Sequence, residues 1–164
     1  MSELKSVTIY TDGACLGNPG PGGYAAVLIY QGKHKEISGG FNNTTNNRME
    51  IMAAIKGLEA LKEKCQVTLY SDSQYLVDAI KNGWVMRWQA NRWKRNKKEK
   101  AQNVDLWKRL LELCDQHEVE FKWTRGHVGT RENERCDYLA NQAADQPDLP
   151  EDQINKDSSK LELF

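Results

Sequence analysis

Asp12, Glu50, Asp72 and Asp137 are the residues whose settings most suggest chemistry. Asp12 closes a run in which Val7, Ile9 and Thr11 alternate with Thr8, Tyr10 and Asp12, the period of a strand. Asp72 follows a second β-rich run, Val67–Tyr70, at the carboxyl end, where open α/β sheets place their ligand sites. Glu50 shares a helix face with Ala54, Gly57 and Leu61, and Asp137 shares one with Ala140 and Ala144, so both acids stand among core-type residues. An isolated buried carboxylate is costly. Those faces carry no lysine or arginine, which leaves a divalent cation with a taste for hard oxygen ligands as the economical partner. Any one of these acids, alone, also reads as a turn, cap or surface residue, and it is the set of four that carries weight. His127, between Gly126 and Gly129, has the ordinary pKa for proton transfer near neutrality, although a lone loop histidine also reads as solvated.

The elements that must position these groups follow from periodicity. After the first strand comes the turn-rich stretch GACLGNPGPGG, then two β-rich runs, Tyr24–Tyr30 and Lys35–Phe41, joined by Gln31-Gly32-Lys33-His34 as an antiparallel hairpin. Thr44 or Thr45 caps a helix running to about Lys62, with Ile51, Ala54, Ile55 and Leu58 on its buried face. Val67–Tyr70 is a fourth strand and Gln74–Ile80 opens a second helix. Gly83–Lys100 is read as a helix with a solvent-facing loop. Asn103 caps a further helix whose apolar stripe is Val104, Trp107, Leu111 and Cys114. Val119–Trp123 is a fifth strand, Arg125–Arg131 a loop, and helix returns from about Glu132 to Ala144. The order βββ-α-β-α-α-β-α predicts an α/β protein with a five-stranded mixed sheet flanked by helices.

With 164 residues the chain suits one domain, and its 23 basic and 23 acidic residues cancel, so only the distribution of charge is informative. From Lys81 to Lys100 eight basic residues face one acid, while from Asp145 to Phe164 six acids face two lysines. The predicted organisation is a domain over 1–145 with a basic protrusion at about 81–102, then an acidic tail over 146–164. Gln146–Ser159, rich in Asp, Pro, Glu, Ser and Lys, is read as a disordered linker because it has little apolar surface to bury. The four cysteines are widely spaced and form no zinc pattern, consistent with reduced thiols. No apolar run approaches the roughly 18 residues of a membrane span, and the N-terminus lacks a signal-peptide core. The expectation is a cytoplasmic monomer with no membrane association.

Four blocks, TDGACLGNPGPGG, TTNNRMEIMAA, LYSDSQY and TRGHVGTRENERCDYLA, resemble in sequence and order the signature blocks of type 1 ribonuclease H, covering residues from about 5 to 144. The resemblance implies the ribonuclease H-like fold and an endonuclease that hydrolyses the RNA strand of RNA–DNA hybrids, leaving 3′-hydroxyl and 5′-phosphate ends. It implies that Asp12, Glu50, Asp72 and Asp137 hold two Mg2+ ions, with Mn2+ a substitute: Asp12 bridges both, Glu50 and Asp72 complete one site and Asp137 the other. Two such ions about 3.5–4 Å apart serve both the attacking and the leaving oxygen of a phosphodiester. His127 would assist turnover.

An enzyme that cuts RNA only when paired with DNA must sense 2′-hydroxyls on one strand and their absence on the other. The resemblance places Gly13, Cys15, Asn18, Asn46, Asn47 and Gln74 in the minor groove and Thr45 at a DNA-strand phosphate. The segment GWVMRWQANRWKRNKKEK resembles the basic protrusion of bacterial members; Trp84, Trp88 and Trp93 offer flat surfaces, and Lys94, Arg95, Lys97 and Lys98 attract phosphate. The spacing of Trp84 and Trp88 fits equally a helix face turned to the core. Leu161, Leu163 and Phe164 form an L-x-L-F ending similar to the peptide by which bacterial replication proteins dock on the sliding clamp, with Lys160 where that peptide usually has glutamine. Two other classes of function compete: a hybrid-binding module without catalysis, which would lack one or more acids, and a DNA-cutting relative, which would lack the glycine- and asparagine-rich blocks.

Overall fold

The computed structural model describes residues 4–95, 99, 101–125 and 130–152. His127, Lys97, Lys98, Leu161, Leu163 and Phe164 lie outside them. A five-stranded mixed sheet is formed by β1 (Lys5–Cys15), β2 (Gly20–Tyr30), β3 (Lys33–Thr44), β4 (Cys65–Ser71) and β5 (Glu118–Trp123), in the order β3-β2-β1-β4-β5. The first three strands are antiparallel, whereas β4 and β5 run parallel to β1. Helices α1 (Asn46–Glu59), α2 (Gln74–Lys81), α3 (Trp84–Ala90), α4 (Val104–Gln116) and α5 (Arg131–Ala144) complete the chain.

β2 and β3 join through a two-residue turn, Gln31-Gly32, with φ of 49° and 76°. Positive φ at both positions gives the turn the hand that matches strand twist. The strands run past their expected ends: β1 continues to Cys15 and β2 begins at Gly20, so most of the glycine-rich stretch is ladder rather than loop. Asp12 therefore lies within β1, opposite Ala25, and not at its end. Side chains lacking there would have weakened the periodic signal, while the backbone pairs regardless.

Two cores flank the sheet. On one side Ile51, Ala54, Ile55 and Leu58 of α1 pack with Val7, Ile9, Val67, Leu69 and the inner face of α4. On the other, Cys136, Leu139 and Ala140 of α5 cover Ala25 and Val27. Gly23 lets α5 come this close, since a Cβ there would lie 2.1 Å from the Ala140 carbonyl.

Thr45 caps α1, its side chain accepting from the Arg48 amide. The α4 stripe differs from expectation: Leu106, Trp107, Leu110 and Leu113 are buried, with Leu111 and Cys114 half-buried beside them. Two adjacent apolar rows are present in that sequence, and packing against α1 selects the centre between them. Asn103 occupies the N-cap position with φ 61° but makes no side-chain cap hydrogen bond; its side-chain amide instead accepts from Arg48 and donates to the Tyr75 hydroxyl. In the basic segment Trp84, Trp88 and Trp93 pack against the main core, with Trp88 edge-on to Trp107 and the Lys108 ammonium over Trp93.

The reading of Gln146–Ser159 as a disordered linker requires correction over its first half. The Asn42 amide donates to the Pro150 carbonyl at 2.7 Å, and Asp152 is buried, bonded to Thr44 and Arg48. Specific polar pairing, which composition does not register, holds residues 150–152 to the domain.

Candidate active site

The parallel register of β1 and β4 ends at Tyr10 opposite Tyr70, whose rings stack with centroids 4.9 Å apart. Two residues further along each strand direction stand Asp12 and Asp72, which are thereby level. The Thr11 hydroxyl donates to the Tyr70 carbonyl at 2.9 Å, and from β5 the Trp123 indole donates to the Asp72 carbonyl at 3.1 Å. Backbone on either side of the two acids is thus tied down.

Glu50 arrives from the second turn of α1. The helix crosses β1 at Gly13, where a Cβ would meet the Glu50 amide nitrogen and the Met49 carbonyl carbon at 2.6 Å each. Any other residue would push helix and strand apart. The Gly13 amide donates to Asp12 Oδ1 at 2.9 Å and to Glu50 Oε1 at 2.7 Å, and the Ser71 hydroxyl donates to Glu50 Oε2 at 3.3 Å.

Oxygen atoms of Asp12, Glu50 and Asp72 all lie within 4.8 Å of one another. Asp12 and Glu50 are 5% and 3% exposed, so their charges are largely dehydrated. Burial, then the charge of Asp72, pushes the Asp12 carboxyl up from 3.8 to about 8. Burial and the charges of Asp72 and Asp12 push Glu50 well above its ordinary value too. Such repulsion is relieved by a proton or by a cation. The donors are all hard oxygens in contact range of one another, which fits a divalent cation of the magnesium class.

Asp137, on α5, lines the same cleft of about 480 Å³ and adds its charge to Asp12, although it stands outside the closest trio. The Asn141 amide, one turn later, donates to Asp137 Oδ1 at 3.0 Å. The i+4 spacing of Asn141 from Asp137 is the signal in the sequence that pairs them. Gly13, Cys15 and Asn46 line the acidic cleft, as do Ser73 and Asn141.

A second cleft of about 730 Å³ is lined by Asn18, Thr45 and Asn47 together with Arg48, Asn103, Asp105 and Lys108. Asn18 links the two clefts, its Oδ1 accepting from the Asn46 amide at 3.1 Å. Gln74, exposed at the start of α2, lines neither. Trp84, Trp88, Trp93, Lys94 and Arg95 belong to the α3 arm and line neither cleft. The indoles are half-buried, while Arg87, Arg92, Lys94 and Arg95 are exposed on the arm. Sequence reasoning missed Arg48, because an arginine on the first turn of an amphipathic helix reads as solvated.

A mixed sheet that gathers carboxylates from β1, the end of β4 and the helices on its two faces into one cleft, two of them buried, beside a second cleft rich in amides and hydroxyls, has the donor set of a carboxylate-based metal enzyme. The RNase H family profile matches residues 4–145. Ribonuclease H of Syntrophus aciditrophicus is 67% identical over 148 residues, covering 90% of this chain and 86% of that protein. Ribonuclease H of Desulforamulus reducens is 63% identical over 151 residues, covering 92% and 95%. Among solved structures, LC9-RNase H1, described as a type 1 RNase H with the type 2 active-site motif, superposes with a TM-score of 0.77 at 30% identity, over 88% of this chain and 74% of that one. LC11-RNase H1, solved with an RNA/DNA hybrid, has a TM-score of 0.65 at 25% identity, over 85% and 96%. The chain belongs to the ribonuclease H family.

Proposed function

We propose that this protein is an endonuclease that hydrolyses the RNA strand of RNA–DNA hybrids, leaving 3′-hydroxyl and 5′-phosphate ends. The observation that carries the reading is the trio of Asp12, Glu50 and Asp72, the first two buried and the third half-buried, with no cation of the described residues among the causes that shift Asp12 and Glu50, in a fold shared with a hybrid-bound relative. Asp12, Glu50 and Asp72 would hold one Mg2+ ion, and Asp12 with Asp137 a second. When bound, such a pair makes water a nucleophile near neutral pH and stabilises charge on the attacking and leaving oxygens.

The chain's own contribution is placement. The Gly13 amide and Ser71 hydroxyl aim the Glu50 carboxylate, Asn141 aims Asp137, and the Trp123 indole holds the backbone at Asp72. Gly13, Cys15 and Asn46 border the scissile position, where small side chains admit close approach of a ribose. Asn18, Thr45 and Asn47 offer donors to the backbone of the partner strand in the neighbouring cleft. Lys94 and Arg95 on the exposed arm add sequence-independent phosphate attraction. The protein acts as a monomer, and its L-x-L-F ending is a docking peptide for a replication partner such as a sliding clamp; titration with and without Leu161–Phe164 reads that out, with equal affinities refuting it.

The test of the central reading is end-labelled RNA–DNA hybrid, duplex DNA and duplex RNA incubated with protein and Mg2+. Only the hybrid's RNA strand is expected to be cut, and Asp72→Asn should slow cutting by roughly 10³-fold. Cleavage of duplex DNA would select a DNA nuclease instead, and binding without cleavage a recognition module.

A further inference from the structure

Arg48 is a buried guanidinium, 2% exposed, with each of its five N–H groups engaged. Its Nε and one Nη2 hydrogen reach Asp152 at 2.7 and 3.0 Å, a bidentate pair. The other Nη2 hydrogen and one on Nη1 reach Asp105 at 2.7 and 2.9 Å, and the last reaches the Asn103 amide oxygen at 3.3 Å. Burial alone would lower the Arg48 pKa, but the bonds to Asp105 and Asp152 raise it above the usual value. Asp152 also accepts from the Thr44 hydroxyl and is itself 1% exposed.

These partners come from four places: the end of β3, the first turn of α1, the start of α4, and the stretch following α5. They meet under the residues that border both clefts. Thr44 precedes the cap residue Thr45, Arg48 follows Asn46 and Asn47, and Glu50 is two residues further on the same helix. Asn103, Asp105 and Arg48 themselves line the second cleft.

We propose that Asp152 is a positioning residue for substrate: by clamping Arg48 and Thr44 it fixes the Thr45–Asn47 turn against the start of α4 and so sets the width and donor geometry of the second cleft. The clamp touches no reacting atom. Its effect falls on hybrid binding rather than on the chemical step. The inference rests on the hybrid-cleaving reading above.

The experiment compares the full chain with Asp152→Asn, Asp152→Glu and, as a stability control remote from both clefts, Leu28→Ala, all assayed well below their melting temperatures and at Mg2+ concentrations that saturate each protein. Asp152→Asn keeps the shape but halves the pairing, and should raise KM about tenfold while kcat stays within about twofold, the pattern of lost uniform binding. The Kd for a labelled hybrid in EDTA should rise in parallel. Asp152→Glu, which keeps the charge, should recover part of the loss, and Leu28→Ala should lose stability with KM unchanged. The proposal is overturned if Asp152→Asn leaves KM and Kd at parental values, if kcat falls instead, or if Leu28→Ala raises KM equally. Absence of hybrid cleavage by the parent chain would sink the functional reading itself, a result visible before any variant is compared.

Discussion

Replacing Asp12 by asparagine should stabilise the metal-free protein, and do so increasingly as the pH rises. The native carboxyl is raised from 3.8 to about 8, first by burial and then by Asp72 and Asp137. A group held above its unfolded pKa binds protons more tightly in the folded state. The stability it confers is complete below about pH 4 and is lost as the pH climbs through 8. Moving a carboxyl that far corresponds to ~6 kcal/mol when fully expressed and ~4 kcal/mol at pH 7. Asparagine carries no charge to desolvate and its oxygen still accepts from the Gly13 amide, though its NH2 group must find an acceptor beside Glu50. Allowing ~1 kcal/mol for that mismatch leaves a gain of roughly 3 kcal/mol at pH 7, or about 6–12 °C in Tm. Thermal melts in EDTA from pH 4 to 9 read this directly, and the advantage should vanish near pH 4. Adding millimolar Mg2+ should raise the parent's Tm more than the variant's and narrow the gap. A variant less stable than the parent at pH 8 in EDTA, or an advantage independent of pH, would refute the reasoning.

Three further outcomes follow from the same geometry. Gly13→Ala places a methyl 2.6 Å from the Glu50 amide, so β1 and α1 must separate; a loss of about 2–4 kcal/mol by urea titration and a fall in kcat of roughly 100-fold are expected. Burial, then Lys64, lowers the pKa of His117, whose Nδ1 accepts from the Cys65 amide, so its contribution is present above the ordinary 6.5 and lost as the pH falls; relative to His117→Asn, the parent's urea midpoint should drop between pH 7 and 5. Exchanging Lys94, Arg95, Lys97 and Lys98 for glutamine should raise KM about tenfold at 0.1 M salt and flatten the dependence of log KM on log salt, with kcat within about twofold.

The legible parts of this molecule were those with a strong period or an acid in an unlikely setting. The α1 stripe of Ile51, Ala54, Ile55 and Leu58 is buried as its spacing dictated, and Thr45 caps the helix. Asp12, Glu50, Asp72 and Asp137 converge on one cleft. Illegible were features set by partners distant in sequence. The glycines from Gly13 to Gly23 read as a turn because they lack side chains, yet most of them pair in the β1–β2 ladder. Asp152 read as part of a solvated acidic tail because nothing local marks its bond to Arg48, 104 residues away. The tryptophans of the arm combine both cases: their spacing allowed a core face, and only the position of Trp107 decided that they pack inward.

Helix α1 is anchored and electrostatically strained within the same first two turns, and the two facts belong together. Glu50 is dehydrated among like charges, which without a cation favours withdrawal of the helix from β1. Two residues earlier, Arg48 engages Asp105 and Asp152 through four charge-assisted bonds, each of a kind roughly twice as strong as a neutral one. A helix is stiff over so short a span, so the anchor at Arg48 limits how far Glu50 can retreat, and the close contact at Gly13 limits it from the other side. The cage is therefore preorganised before a cation arrives, with its repulsion balanced by packing and ion pairing outside it. Metal affinity should accordingly fall when the anchor is weakened even though no ligand is touched, and calorimetric titration of Mg2+ into Arg48→Lys protein should show weaker binding than into the parent. Equal affinity would mean that β1 and β4 alone set the cage.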